Sequence, residues 1–252
     1  MSLSYPAGTV RRVNPWRALV EAVFPAWCPG CGRHAEPVCD ACANTLRSPP
    51  ALPPPAGVDR WLAPFAYEGV ARELVARVKY RRTRATVPWL AARMASLLTA
   101  AGADAGVGLV TWAPTTSSRR ATRGFDHAEL LARAVARELR RPVRATLQRR
   151  PGPPQTGQPA AIRRAGPRFH ARRPVLPARV LLVDDVATTG ATVAAAADAL
   201  RRGGAASVVV LTAARTPRPG TVRQGRSRRS AYTQPMAVGS QRDAAGIETP
   251  GH

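Results

Sequence analysis

Residues 180–193, VLLVDDVATTGATV, place the strongest constraint on the fold of this chain. In this segment an apolar run is followed by two carboxylates and then by a loop of hydroxyl and glycine residues. The first four residues show no polar alternation, which predicts a strand buried on both faces, as in a parallel sheet covered by helices. Ligands bind at the carboxyl ends of such strands, where Asp184 and Asp185 follow. A helix is predicted over residues 191–202, and its positive dipole end favours an anion. The pattern therefore predicts that the carboxylates bind sugar hydroxyls or lie near a magnesium-bound diphosphate, and that residues 188–192 bind a phosphate.

Other phosphate-binding patterns do not fit the sequence. It contains no Gly-x-x-x-x-Gly-Lys-Ser/Thr run, which excludes a nucleotide-hydrolysing phosphate loop, and no Gly-x-Gly-x-x-Gly opens a helix after a strand. A receiver domain also ends a strand in paired carboxylates, but that pair opens the domain. Here two candidate strands precede the pair and there is room for one after it, so a receiver domain is disfavoured.

The cysteines form the second strong pattern. Cys28 and Cys31 make one Cys-x-x-Cys pair, Cys39 and Cys42 make another, and these four are all the cysteines of the chain. Four thiolates at this spacing suit one tetrahedral zinc ion, and a site closed by four cysteines is structural because it leaves no open position. The alternatives are a redox dithiol pair or disulfides, and the lack of a secretory pattern disfavours disulfides. His34 lies between the pairs and is predicted to be a surface residue.

Residues 180–193 resemble the phosphoribosyl pyrophosphate (PRPP) signature of type I phosphoribosyltransferases, a hydrophobic strand followed by Asp-Asp and Thr-Thr-Gly-x-Thr. In that family the acidic pair contacts the ribose hydroxyls and the loop surrounds the 5-phosphate. The resemblance implies magnesium, bound together with PRPP, and gives the acidic pair, Asp184 and Asp185, a catalytic role. The PRPP-binding residues that it implies are Asp184, Asp185, Ala187, Thr188, Thr189, Gly190 and Thr192.

The order of the two motifs resembles the ComF family, phosphoribosyltransferase-like proteins linked to DNA uptake in naturally competent bacteria. The resemblance implies an α/β fold: a type I phosphoribosyltransferase-like parallel sheet flanked by helices, with a small N-terminal four-cysteine zinc knuckle. Asp126 and His127 stand where the family has Asn-Gln, and Trp112 and Ala113 stand where it has valines. The elements that resemble the family, spread over residues 27–214, are FAYEG at 65–69, the helix 74–80, WAP at 112–114, RGFDH at 123–127 and the basic stretch 155–169.

The resemblance extends to a diphosphate site. Residues 114–118 follow a strand predicted over residues 108–112 and resemble the diphosphate loop of the family. Lys79 matches the lysine of the ComF pattern and is the single lysine among 38 basic residues. Either a compact ammonium group is needed there, or Lys79 is a chance lysine at a helix C-terminus. The candidate diphosphate-binding residues are Lys79, Pro114, Thr115, Arg119 and Arg123.

The charge of the chain is strongly positive. Its formal net charge is +23, and residues 140–179 hold eleven arginines and no acidic residue. The arginine-rich loop 149–173 could therefore bind DNA through its phosphates, with strong salt dependence and little sequence preference. It could also be a lid over the diphosphate, or an exposed basic loop. Aromatic residues make up only 5% of the chain, which gives little support for a base-stacking surface.

Breaks in apolar periodicity suggest the domain organisation. No apolar run approaches the roughly 20 residues of a membrane span and the N-terminus lacks a secretory pattern, so the expected location is the cytoplasm. Helices are predicted over 70–80, 87–100, 128–140 and 191–202, and strands over 60–67, 108–112, 143–148, 180–183 and 205–212. The predicted segments are an N-terminal segment (1–26), the zinc knuckle (27–47), a Pro-rich linker (48–58), the phosphoribosyltransferase-like domain (59–216) and a disordered basic tail (217–252).

Three functions fit these patterns. The first is a phosphoribosyltransferase that binds PRPP with magnesium and displaces diphosphate at the anomeric carbon. The second is a non-catalytic accessory of DNA uptake that binds DNA and keeps PRPP as a regulatory ligand, and the third is a regulator that senses nucleotide supply without DNA. No nucleobase pocket or general base is identifiable in the sequence, which keeps all three open.

Overall fold

The computed structural model describes residues 27–35, 37–78, 86–116, 124–150, 167–172 and 178–217. Lys79, Arg119 and Arg123, three of the predicted diphosphate ligands, lie outside the described residues. The same holds for most of the arginine-rich loop, for the N-terminal segment and for nearly all of the C-terminal tail.

The described residues form helices and strands close to the predicted ones. The helices are α1 (Asp40–Ala43), α2 (Gly69–Arg77), α3 (Thr86–Ala100), α4 (His127–Leu139) and α5 (Ala191–Arg202). The strands are β1 (Arg60–Leu62), β2 (Phe65–Ala66), β3 (Val107–Trp112), β4 (Leu147–Arg149), β5 (Phe169–Ala171), β6 (Arg179–Ala187) and β7 (Ser207–Arg215).

The main sheet is parallel, in the order β1-β7-β6-β3, with β2 also paired to β7. The strand predicted over 60–67 is therefore two short strands. Pro64 separates them, and proline offers no N–H to a ladder. Strand β6 lies at the centre between β3 and β7, so its carboxyl end has neighbours on both sides.

Alternate residues of the central strands face two different layers of helices, as the two-residue period of a strand requires. Leu181 and Leu211 belong to an apolar cluster that includes buried side chains of α2, α3 and α4. Leu182 and Val210 belong to a second cluster, in which Leu200 of α5 is fully buried. The sheet is thus covered on both faces, which explains why residues 180–183 have no polar alternation.

Two predictions around the arginine-rich loop need correction. The strand predicted over 143–148 is not continuous: Val143 forms a single parallel bridge with Val110, and the chain then pairs through β4. The loop predicted over 149–173 contains β5, which forms an antiparallel ribbon with β4. A strand of three residues is too short to give a periodic signal in the sequence.

The four-cysteine segment packs against α2. Leu74 of α2 forms a buried cluster with Cys28 and Val38. A Cβ added to Gly30 would lie 2.7 Å from Cys42 Sγ and 2.8 Å from Val70 Cγ2. The turn between Cys28 and Cys31 is therefore in close contact with α2. No helix within the described part of the chain is long and apolar enough to span a membrane.

Candidate functional site

The paired carboxylates lie within β6 and not beyond its end. The strand was predicted over residues 180–183, but its pairing with β7 continues through Asp184 opposite Thr212 to Ala187 opposite Arg215. Each carboxylate accepts a hydrogen bond from the next backbone N–H: Asp185 N lies 2.8 Å from Asp184 Oδ1 and Val186 N lies 2.7 Å from Asp185 Oδ1. These bonds fix both side chains at the carboxyl end of the central strand.

The two carboxylates have different environments. Asp184 is 8% exposed, whereas Asp185 is half-buried. Burial raises the pKa of Asp184 well above its ordinary value, and the charges of Asp185 and Asp126 raise this pKa further. A buried carboxylate pair in this state is stabilised by a cation or by hydroxyl donors.

The loop after β6 surrounds a small cavity at the N-terminus of α5. Gly190 adopts φ +81°, a left-handed conformation that favours glycine, and it caps the N-terminus of α5. Thr188 and Thr189 are exposed, and a cavity of about 30 Å³ is lined by residues 186–193, a set that includes Ala187 and Thr192. The first turn of α5 turns its N–H groups toward this end of the helix, which is where an anion binds.

The predicted diphosphate loop begins at the end of β3, next to β6. Pro114 and Thr115 are half-buried there. The backbone N–H of Thr115 donates to Asp126 Oδ2 at 2.7 Å, so this amide already has a partner. Asp126 Oδ1 accepts from Ala128 N at 3.1 Å and caps α4. Burial raises the pKa of Asp126 although three backbone N–H groups lower it.

Two residues that pack near the loop after β6, Trp61 and Arg215, were not predicted from the sequence. A Cβ on Gly190 would lie 3.3 Å from Trp61 Cη2, so the indole edge touches this position. Arg215 lies over the face of the same ring, with its Cζ 4.8 Å from the ring centroid. No pattern marked Arg215, which lies beyond the strand predicted over 205–212, whereas Asp126 could have been identified as a helix N-cap.

The four cysteines are gathered in one place. Their Sγ atoms all lie within 4.8 Å of one another, and Cys31 Sγ and Cys39 Sγ are 3.6 Å apart. Burial raises the pKa of the Cys28 thiol, but backbone N–H groups of Cys39, Cys31 and Gly30 outweigh it and lower the pKa to about 6. Burial and the neighbouring thiols raise the pKa of Cys42. Four sulfur donors at this separation fit a tetrahedral zinc ion.

A basic cavity of about 830 Å³ lies between the β4–β5 ribbon and the outer face of α5. Its lining includes Arg150, Arg168 and Arg172 together with Arg202 of α5. His170 also lines it, and its Nδ1 is buried without a hydrogen-bond partner among the described residues. This cavity lies beside the middle and end of α5, whereas the loop after β6 lies at the start of this helix.

Comparison with known protein families supports the fold described above. Residues 122–232 match the model of the phosphoribosyl transferase domain. No curated protein matches the sequence significantly. Together with the parallel sheet, the match defines a type I phosphoribosyltransferase-like fold, to which the four-cysteine knuckle is added at the N-terminus.

Several solved structures are similar to parts of the chain. One is the allosteric regulatory enzyme of purine biosynthesis, with 24% identity over 50% of this chain and 25% of that chain, and a TM-score of 0.34. Purine phosphoribosyltransferase from Pyrococcus horikoshii has 16% identity over 50% of this chain and 69% of that chain, with a TM-score of 0.31. Orotate phosphoribosyltransferase from Aeropyrum pernix has 19% identity over 57% and 76%, with a TM-score of 0.31. The chain thus spans a quarter of the length of the first of these proteins.

The structure brings together one group of predicted site residues and keeps another apart. Asp184, Asp185 and the loop 188–192 lie at the carboxyl end of β6, and Pro114 and Thr115 follow the neighbouring strand β3. The cysteines form a separate cluster against α2. The two clusters are therefore separate candidate sites, one at the carboxyl end of the sheet and one with four sulfur donors that fit a metal.

Proposed function

We propose that the protein binds PRPP with magnesium at the carboxyl end of β6. Asp184 and Asp185 would accept hydrogen bonds from the ribose hydroxyls, and Ala187, Thr188, Thr189, Gly190 and Thr192 would surround the 5-phosphate. The single observation that carries this proposal is the junction of β6 and α5, where a fixed carboxylate pair meets a small cavity at the N-terminus of the helix. A sugar phosphate has the matching chemistry, because hydroxyl donors and a phosphate occur in one molecule.

The magnesium fits the donor set, since carboxylate oxygens are its usual protein ligands. Asp185 would be the more accessible oxygen ligand, and a bound cation would favour the ionised form of Asp184, whose pKa burial raises. Magnesium would neutralise the diphosphate of PRPP as the bond to the anomeric carbon breaks. The chain itself would hold the ribose, the 5-phosphate and the diphosphate in place, with Pro114, Thr115, Lys79, Arg119 and Arg123 as candidate residues for the diphosphate. Catalysis would thus rest on positioning and charge.

The test is isothermal titration with PRPP and magnesium. The Asp184→Asn/Asp185→Asn variant should lose about 100-fold or more in affinity, since hydrogen bonds to a charged group contribute about 1.5–3 kcal/mol each. Asp198→Asn is the matched control, because Asp198 is an exposed acid on α5. Equal affinity of the wild type and the double variant would refute the proposal. Diphosphate release in the same samples, with candidate nucleobases, would separate a transferase from a PRPP-binding protein without turnover.

A second candidate is a ComF-like accessory of DNA uptake, which the basic cavity favours. Four arginines line the cavity, and its only acid among the described residues is Asp198, which already pairs with Arg202. A nucleic acid backbone would neutralise the remaining arginines of the β4–β5 ribbon. DNA held in this way would bind with a salt-dependent affinity.

The DNA test is the salt dependence of binding. Charge reversal at Arg150, Arg168 and Arg172 should flatten the slope of log affinity against log salt by about 0.7–0.9 for each phosphate that the variant no longer neutralises. Charge reversal at Arg140, an exposed residue that ends α4, is the control. If the triple variant has the same slope as the wild type, DNA does not bind at this cavity.

A further inference from the structure

Arg215 is a buried cation that the site described so far does not use. The residue is only 4% exposed at the carboxyl end of β7. Its Nη2 donates to the carbonyl oxygen of Pro50, but its Nε and Nη1 have no hydrogen-bond partner among the described residues. None of the ion pairs within the described ranges includes Arg215. A buried guanidinium in this state is costly for the free protein.

The position of this cation relates it to the phosphate loop. Strands β6 and β7 pair Ala187 with Arg215, and Thr216 N donates to the carbonyl oxygen of Ala187 at 3.0 Å. Arg215 stacks on one face of Trp61, and the edge of the same indole touches Gly190. The same indole therefore contacts both a buried positive charge and the backbone that would hold the 5-phosphate.

We propose that Arg215, stacked on Trp61, is a positioning residue for the 5-phosphate of the ligand: it braces the loop at Gly190 and supplies the positive charge behind it. This inference rests on the proposed function and adds a residue to its site. A phosphate dianion in the loop offsets the buried charge, so part of the cost of burying Arg215 in the free protein is recovered as affinity. Because Arg215 is buried, its attraction for the phosphate is screened less than it would be in water.

The alternative is a purely structural role in which Arg215 fastens residue 50 to the sheet. The two roles differ in the stability of the free protein. A structural arginine should lower the melting temperature when it is replaced. A charge retained for a ligand should leave the melting temperature unchanged or raise it, because an apolar side chain of similar size removes a buried unpaired charge.

The experiment compares Arg215→Met with Arg215→Lys by titration with PRPP and with ribose 5-phosphate, and by thermal unfolding without ligand. Arg215→Met should bind both ligands about tenfold or more weakly, while its melting temperature does not fall. Arg215→Lys keeps the charge and should recover part of the loss. Arg60→Met is the control, since Arg60 precedes Trp61 on β1 but is exposed and donates to the carbonyl oxygen of Ala101.

The outcomes also separate this inference from the proposed function. If the wild type binds PRPP and needs Asp184 and Asp185, but Arg215→Met binds equally well, the Arg215 role is wrong and the proposed function stands. Equal losses in the Met and Lys variants, with a lower melting temperature in both, would show a structural role. If ribose 5-phosphate binds in an Arg215-dependent way while PRPP shows no dependence on the acidic pair, the phosphate role holds and the proposed function fails. Binding of neither ligand to the wild type would overturn both.

Discussion

The backbone N–H of Thr115 donates to Asp126 Oδ2 at 2.7 Å and so joins the loop after β3 to the start of α4. The other oxygen of Asp126 caps the helix through Ala128 N at 3.1 Å. One buried carboxylate thus holds two segments on either side of residues 117–123. The shape of the predicted diphosphate loop depends on a residue that does not touch the ligand in the proposed binding mode.

Replacing Asp126 with Ala should therefore affect both stability and binding. Loss of an N-cap costs about 0.5–2 kcal/mol, and the Thr115 amide also loses its partner, so we expect the free energy of unfolding to fall by about 2 kcal/mol. The affinity for PRPP should fall as well, because the loop is released. Chemical denaturation and titration measure the two effects. Asp198→Ala is the control, with a change within about 0.5 kcal/mol expected for an exposed ion pair; similar values for both variants would contradict the linking role.

Replacing Asp184 with Asn should stabilise the free protein while it weakens PRPP binding. Burial raises the pKa of Asp184 above its ordinary value of 3.8. Between the ordinary and the raised value, the folded state holds a proton that the unfolded state has lost, so the free energy of unfolding decreases as the pH rises through this window. The Asn variant lacks this decrease.

Melting temperatures from pH 4 upward test this expectation, with about 0.1 M salt throughout to limit surface effects. The gap between Asp184→Asn and wild type should widen as the pH rises. Asp198→Asn should show no comparable widening, because Asp198 is exposed. A parallel pH dependence of wild type and Asp184→Asn would show that Asp184 does not destabilise the free protein.

The sequence predicted the sheet and the helices well where apolar periodicity was clear. Helix α5 has the predicted bounds, and strand β3 begins one residue early. Strand β6 was predicted too short because Asp184 and Asp185 interrupt the apolar run, and only its pairing with β7 shows that the strand continues to Ala187. Polar residues near the end of a buried strand interrupt the apolar pattern, so the sequence predicts a strand that is too short.

The parts of the site that sequence reasoning missed are contacts between distant residues. Trp61 contacts Arg215 because β1 and β7 are neighbours in the sheet, and the loop after β6 brings Gly190 to the same indole. No local pattern encodes such a meeting. The cysteine cluster, in contrast, was predictable because its spacing alone brings four sulfurs near one point.

Zinc removal should loosen the knuckle and α2 while it leaves the central sheet folded. Leu74 of α2 shares a buried cluster with Cys28 and Val38, so the knuckle supports this helix from outside. Metal analysis should find one zinc per chain. After chelation, hydrogen exchange should increase in residues 27–47 and in α2 but not in β6 and β7. Absence of zinc would refute the knuckle, and uniform loss of protection would show that the sheet depends on the metal.

Replacing Gly190 with Ala should weaken PRPP binding more than backbone strain alone can explain. Gly190 has φ +81°, and the new Cβ would lie 3.3 Å from Trp61 Cη2. Gly106 has φ +72° with no atom within 4 Å of an added Cβ, so Gly106→Ala carries a similar strain without the contact. Both variants should lose about 1 kcal/mol of stability from the left-handed conformation. Titration with PRPP should show a lower affinity for Gly190→Ala alone, because the indole must shift and the loop with it; equal affinities in the two variants would show that Trp61 does not support the loop.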